Sequence, residues 1–191
     1  MLKHFFILAL CPVFFLTGCA QTSTSSNKKN MDTLPAAGAN LPQGDSTPVI
    51  KTEEEWKKIL PSDVYYVSRL KGTERPWTSK FENFYETGTY YCKACGHALF
   101  KSDAKFDSGC GWPSFYEPVA KNSIIYAPDS SHGMVRTEVM CGRCKGHLGH
   151  VFEDGPPPTG LRYCINGVIL DFKKAQEADA QYKKDKKENN Q

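Results

Sequence analysis

The sequence carries little net charge and no apolar stretch long enough to cross a membrane. Its 24 lysines and arginines against 21 aspartates and glutamates leave +3 over 191 residues, with no internal basic cluster. The two visible basic runs, Lys28–Lys29 and the lysines near the C-terminus, sit in polar, low-complexity company. They read as solvated tails, which argues against a nucleic-acid partner. An apolar run extends from Phe5 to Leu16, but a spanning helix needs about 20 such residues. Large apolar side chains are nearly absent from Ala20 to about Thr47, where Ser, Thr, Asn, Gly, Ala and Pro dominate. That segment cannot bury enough surface to offset its ordering entropy and reads as a flexible tether. The length predicts one domain with tails, and 12 % aromatic residues supply its core.

The N-terminus has the form of an export signal. Lys3 gives a short positive region and the apolar run has the length of a secretory core. It ends in Leu16-Thr17-Gly18-Cys19, which resembles the lipobox of bacterial lipoproteins. That resemblance implies cleavage before Cys19 and lipid on its thiol. It places the protein in the bacterial cell envelope, on a membrane and facing the periplasm or exterior. Several acyl chains hold a protein durably on a membrane, whereas one is marginal. An ordinary signal peptide with a chance cysteine is the weaker reading, because small residues and a cysteine arrive together. The expected divisions are a signal peptide over 1–18, a lipidated cysteine and linker over 19–48, a folded domain over 49–175, and a polar tail over 176–191. Cys11 goes with the signal. Cys92, Cys95, Cys110, Cys141, Cys144 and Cys164 remain for the folded part.

Order is expected from about Lys51. Thr52 followed by Glu55 is a capping-box signature, with Trp56, Ile59 and Leu60 as the buried face of a short helix ended by Pro61. Ser62 is placed to cap a second helix through Val64, Tyr65 and Val67, stopped by Gly72. After Gly88, runs rich in aromatic and β-branched residues alternate with turn signals: Thr89–Tyr91, Ser123–Tyr126, Met134–Met140, Leu161–Ile165 and Val168–Phe172. Asn166-Gly167 reads as a two-residue hairpin turn between the last two. The chain from Lys173 reads as a frayed helix or disordered tail. The domain is therefore mainly antiparallel β with short helices in front.

Cys92-Lys93-Ala94-Cys95 and Cys141-Gly142-Arg143-Cys144 are two knuckles of one kind. Each C-x-x-C can turn both sulfurs to one point, and two pairs complete a tetrahedral four-thiolate zinc shell. A small residue near each pair helps the tight turn. Two disulfides, or one redox-active pair, are the competing readings. Neither pair opens a helix after a strand in a βαβ setting, which counts against thioredoxin-like chemistry. One structural zinc per chain is the favoured reading, clipping two distant hairpins together.

The two remaining cysteines have different surroundings. Along a strand, side chains two apart share a face, so Arg162 and Cys164 point one way and Tyr163 and Ile165 the other. A guanidinium beside a thiol favours the nucleophilic thiolate. Asn166 extends the row unless it is only a turn residue. Cys110 has glycine on both sides in Ser108-Gly109-Cys110-Gly111-Trp112 and reads as lying on a mobile loop. In a secreted protein two leftover cysteines are read as a pair.

Cys-Gly-Trp-Pro-Ser-Phe from Cys110, Gly-His-Leu-Gly-His-Val-Phe from Gly146 and Arg-Tyr-Cys-Ile-Asn from Arg162 resemble the signature segments of methionine-R-sulfoxide reductases. The two knuckles match the zinc-bearing branch of that family, and the similarity runs from about Trp56 to Phe172. The resemblance implies two antiparallel sheets stapled by a four-cysteine zinc site, a β-tent-like fold. It implies Cys164 as the nucleophile that takes oxygen from the sulfoxide sulfur and becomes a sulfenic acid, and Cys110 as the resolving thiol. A Cys110–Cys164 disulfide would then be reopened by an external dithiol. Trp112 becomes the wall for the methyl end of the substrate. His147 and His150 hold or protonate the oxygen, Arg162 keeps Cys164 ionised and Asn166 adds a hydrogen bond. The implied partners are oxidised methionine in proteins and peptides, and a thioredoxin-like extracytoplasmic reductant. Monomer is the default state. Gly167 departs from the serine usual in the family, and Trp77 from phenylalanine.

Taken alone, Trp112 and either histidine are ordinary structural residues, and a histidine ligating metal is disfavoured because four cysteines fill the shell. A non-enzymatic zinc module needs no combination of Cys110, Trp112 and Cys164. A general disulfide reductase is indifferent to methionine sulfoxide.

Overall fold

The computed structural model describes residues 47–177. The expected signal peptide, the lipidated Cys19, nearly all of the linker and nearly all of the C-terminal tail lie outside the described residues. Among the described residues no helix is long and apolar enough to cross a membrane.

Among the described residues two short helices come first, α1 (Glu53–Ile59) and α2 (Ser62–Ser68). The capping box forms as expected: Glu55 N–H donates to Thr52 Oγ1 at 3.2 Å and Thr52 N–H donates to the Glu55 carboxylate at 2.7 Å. Trp56 is buried, but Ile59 is exposed. The chain leaves the helix at Leu60 in an extended conformation, which turns Leu60 rather than Ile59 toward the core. Pro61, not Ser62, caps α2, with no side-chain bond. That helix ends at Ser68, and the Gly72 N–H returns to the Tyr66 carbonyl at 3.0 Å.

Nine strands follow among the described residues: β1 (Gly88–Cys92), β2 (Ala98–Lys101), β3 (Lys105–Phe106), β4 (Ser114–Phe115), β5 (Ile124–Asp129), β6 (Arg136–Cys141), β7 (His147–Phe152), β8 (Arg162–Ile165) and β9 (Leu170–Lys174). They form two antiparallel sheets, one in the order β2-β1-β9 and one in the order β3-β4-β8-β7-β6-β5. The expected mainly β, two-sheet class with short helices in front is what the chain adopts. Aromatic side chains close the gap between the sheets. Phe100 on β2 stacks on Phe115 of β4 with centroids 4.4 Å apart, and Tyr90 on β1 meets Phe115 edge-on at 5.0 Å. Each such contact adds about 0.5–1.5 kcal/mol beyond the area it buries.

Two expectations about the C-terminal strands are overturned. β8 and β9 lie in different sheets, so Asn166-Gly167 is no hairpin turn. Asn166 is extended, at φ −64° and ψ 118°, and Gly167–Ile169 form a single 3-10 turn that carries the chain from one sheet to the other. A type I′ turn needs positive φ at both central residues. The Glu74 carboxylate instead accepts the N–H groups of Gly167 and Val168 and fixes the other path. β9 also runs past Phe172, because Lys173 lies over the Tyr91 ring and Lys174 pairs with Glu86.

Candidate active site and metal centre

Each knuckle joins the two strands of a hairpin. Cys92 ends β1 and Cys95 precedes β2, whereas Cys141 ends β6 and Cys144 precedes β7, so the two knuckles belong to different sheets. Their turns share one geometry. Gly96 N–H returns to the Cys92 carbonyl at 2.7 Å and Lys145 N–H to the Cys141 carbonyl at 2.9 Å. The residue after the second cysteine is left-handed in both, Gly96 at φ 75° and Lys145 at φ 57°. In the second knuckle, therefore, the tight turn falls on a lysine rather than on a small residue.

The four sulfurs lie within 4.8 Å of one another, with Cys92–Cys144 at 3.8 Å and Cys95–Cys141 at 3.6 Å. A tetrahedron with metal–sulfur arms of ~2.3 Å has edges of ~3.8 Å, so this cluster is placed for a metal ion. Cys92, Cys141 and Cys144 are buried and Cys95 is half-buried. Packing the sulfurs together pushes the Cys92 and Cys141 thiols up, through their cysteine neighbours, and a cation would relieve that crowding. Arg69 donates to the Cys144 carbonyl at 3.1 Å and Arg143 to the Cys95 carbonyl at 3.0 Å, bringing positive charge to the rim.

Cys110 and Cys164 meet away from this cluster, where the loop before β4 crosses β8. Their sulfurs are 3.5 Å apart. On β8 the burial alternates as expected, Tyr163 and Ile165 inward, Arg162 and Cys164 on the half-exposed side. Ser114 on β4 lies directly opposite Cys164, and the loop from Asp107 to Pro113 curls back over that pair. The loop is laced rather than loose: Ser108 Oγ donates to Cys110 Sγ at 2.9 Å, Gly109 N–H donates to Asp107 at 2.9 Å, and the Ser108 and Ser114 hydroxyls are 2.7 Å apart. The surroundings of the two sulfurs differ. Hydrogen bonds from Cys164, Ser108 and Ser114 draw the Cys110 thiol down to about 4, and the neighbouring Cys110 sulfur, together with burial, pushes the Cys164 thiol up. Arg162 acts on Cys164 only at a distance. Its guanidinium is held bidentately by Asp154 at 2.9 and 2.8 Å and lies 4.4 Å over the Phe152 ring.

The histidines are brought together by a bulge. Residues three apart on a regular strand face opposite ways. In β7 the register skips Leu148, pairing Val139 with Gly149 but Met140 with His147, and the extra residue turns His147 and His150 to one side. Their ring centroids are 5.5 Å apart. His150 pairs across the sheet with Cys164, and a Cβ on the intervening Gly149 would lie 2.0 Å from the Cys164 carbonyl, so only glycine permits this approach. His147 is buried with Nδ1 2.7 Å from Glu138, whose other oxygen accepts from Lys71 at 2.7 Å. Burial pulls the His147 imidazole below its usual range, against the pull of Glu138. His150 Nε2 is 2.7 Å from Asp129, which also pairs with Arg136 at 2.7 Å.

Asn166 is a brace. Its backbone N–H and its side-chain amide both donate to the Leu148 carbonyl at 2.9 Å, pinning the bulge, and its Oδ1 accepts the Glu74 N–H at 3.0 Å. Its amide thereby bonds the backbone on both sides, the Leu148 carbonyl through nitrogen and the Glu74 N–H through oxygen. Glu74 was not visible in the sequence as a site residue. It gathers four contacts: Asn166 through its N–H, Gly167 and Val168 through its carboxylate, and the Trp112 indole N–H through its carbonyl at 3.2 Å. The half-buried Trp112 ring is thus fixed in orientation from the same residue that fixes Asn166. Nothing in the local pattern Gly72-Thr73-Glu74-Arg75 distinguishes this carboxylate from a solvated one.

Residues 60–174 match the SelR domain family. A protein of Pseudomonas putida named peptide methionine sulfoxide reductase MsrB is 61 % identical over 123 residues, covering 64 % of this chain and 92 % of its own length. Proteins of the same name from Pseudomonas syringae pv. syringae and Bradyrhizobium diazoefficiens are 60 % and 57 % identical, each over 122 residues, or 64 % of this chain, and over 93 % and 88 % of their own lengths. With its paired thiols, its histidines and its four-cysteine cluster in place, the chain belongs to the SelR-domain family of methionine-R-sulfoxide reductases.

Proposed function

We propose that the protein reduces methionine-R-sulfoxide in proteins and peptides by a thiol route through Cys164 and Cys110. The observation that carries this reading is the 3.5 Å separation of the two sulfurs, close enough for a disulfide to close with little movement. The Cys164 sulfur attacks the sulfoxide sulfur, and the oxygen leaves the substrate as the hydroxyl of a Cys164 sulfenic acid, releasing methionine. The thiol proton lost by Cys164 balances the proton gained by that oxygen. His147 and His150, turned to one side by the β7 bulge, are the groups that carry it. The Cys110 thiolate then attacks the sulfenic sulfur, and the departing hydroxide becomes water. An external dithiol reopens the disulfide by exchange, which returns both thiols.

Trp112, held by Glu74, gives the substrate methyl group an apolar wall. Arg162 favours negative charge at the pair without touching it, and Asn166 holds the histidine strand in register. Cys92, Cys95, Cys141 and Cys144 would hold one zinc per chain, a metal that suits four thiolates in a tetrahedron. Bound there it would supply structural cross-linking, tying the β1–β2 hairpin to the β6–β7 hairpin.

Anchored by lipid on Cys19 in the cell envelope, the enzyme draws electrons from a thioredoxin-like donor outside the cytoplasm. Replacing Cys110 by serine separates the steps. The variant is expected to release one methionine per chain and then stop when a protein dithiol is the only reductant. Acid-quenched single-turnover and steady-state assays, run side by side, check this. Undiminished steady-state turnover removes Cys110 from the mechanism.

A further inference from the structure

Two hydroxyls converge on Cys110, and the thiol route gives neither of them a part. Ser108 Oγ lies 2.9 Å from the Cys110 sulfur and Ser114 Oγ 3.5 Å from it, and the two hydroxyls are 2.7 Å from each other. Ser114 is buried at the β4 position opposite Cys164, so its place is set by the sheet and not by the loop. Its hydroxyl also reaches the Trp112 carbonyl at 3.2 Å. The Ser108 N-terminal neighbour, Asp107, is occupied in accepting the Gly109 N–H and shapes the turn that presents Cys110. For Cys164, by contrast, the close polar neighbour is Cys110 itself.

We propose that Ser108 and Ser114 are positioning residues of the second chemical step, holding the Cys110 sulfur as a thiolate aimed at Cys164. This rests on the reductase reading. In the resting pair the Cys164 thiol keeps its proton and donates it toward Cys110. When Cys164 becomes a sulfenic acid, its proton has gone with the oxygen and Cys110 already carries the charge it needs. The S–S bond then forms as the S–O bond breaks, and the hydroxide leaves as water after taking one proton from the solvent or a histidine. No base has to be found for Cys110 at that moment. The low value of the Cys110 thiol agrees with this arrangement. The charged and titratable groups around Cys110 are its partner Cys164 and Arg162 on β8, Asp154 behind Arg162, and His150 across from Cys164 on β7, with Asp107 in its own loop bound to the Gly109 N–H.

The test is the pH profile of Cys110 alkylation, measured peptide by peptide by mass spectrometry after brief exposure to iodoacetamide. It uses the full zinc-loaded protein and needs no sulfoxide, so it stands or falls independently of the reductase activity. In the parent protein Cys110 alkylation is expected to be at its plateau by about pH 6, well above the low Cys110 value. Ser108→Ala is expected to move the midpoint up by about one unit or more, which is about tenfold less thiolate in the acidic limb. Ser108→Thr is expected to restore the profile, which a merely structural role for Ser108 does not predict. In single turnover at about pH 4, where the parental Cys110 is half ionised, disulfide closure in Ser108→Ala slows by about fivefold or more while methionine release is unchanged. An alkylation profile unmoved in both Ser108→Ala and Ser114→Ala, at parental zinc content, overturns the proposal.

Discussion

Replacing Cys164 by serine is expected to abolish methionine sulfoxide turnover, by more than about 10³-fold, while zinc content stays at that of the parent protein. A serine hydroxyl at this site has neither the polarisability nor the acidity to attack sulfur, and nucleophile deletions of this kind remove most of the covalent rate advantage. The fold has little reason to change. Cys164 is on the half-exposed side of β8, and its neighbours Tyr163 and Ile165 supply the burial that holds the strand. The metal cluster draws on β1, β2, β6 and β7 instead. Zinc analysis and turnover on the same preparation check both halves. A folded, metal-loaded variant that still turns over removes Cys164 from its role.

With zinc in the four-cysteine cluster, as proposed, stripping the metal is expected to lower the thermal midpoint by about 15 °C or more and to abolish activity only as a consequence of unfolding. Structural zinc binds finger peptides with about 10–16 kcal/mol, comparable with the whole stability of an ordinary domain of about 5–15 kcal/mol. The knuckles here belong to two sheets, so losing the metal leaves buried sulfurs crowded within 4.8 Å and the sheets held by their packed side chains and a few hydrogen bonds. Chelation followed by a thermal scan under reducing conditions checks this, and Cys141→Ser should behave in the same way. A chelated protein with an unchanged midpoint, and with the mass of two disulfides, supports the cross-linked reading of the knuckles instead.

Local rules carried the sequence a long way. The alternation in Arg162-Tyr163-Cys164-Ile165 placed Cys164 and Arg162 together, because period two is imposed by any strand. The C-x-x-C spacing placed four sulfurs at one point for a similar reason: the turn is local, and pairing two such turns is the only long-range step. Where distant groups decide the outcome, local rules failed. Asn166-Gly167 has strong hairpin propensity, yet Glu74, far away in sequence, captures the next two N–H groups and sends the chain into the other sheet. The strand through Gly146-His147-Leu148-Gly149-His150 was hidden because its bulge breaks the alternation by which strands are read. Glu74 left no mark at all, since it acts through partners that only the fold brings near. Ser108 and Ser114 stood in the Cys110 segments without showing that their hydroxyls turn to that sulfur.

Whether the chain is a reductase of one sulfoxide epimer is decided by dithiol-driven reduction of the separated R and S epimers of a methionine-sulfoxide peptide, using folded, zinc-loaded protein. Turnover of the R epimer alone is the expected result. No turnover of either epimer contradicts the thiol route and leaves a zinc-stapled binding module as the better description.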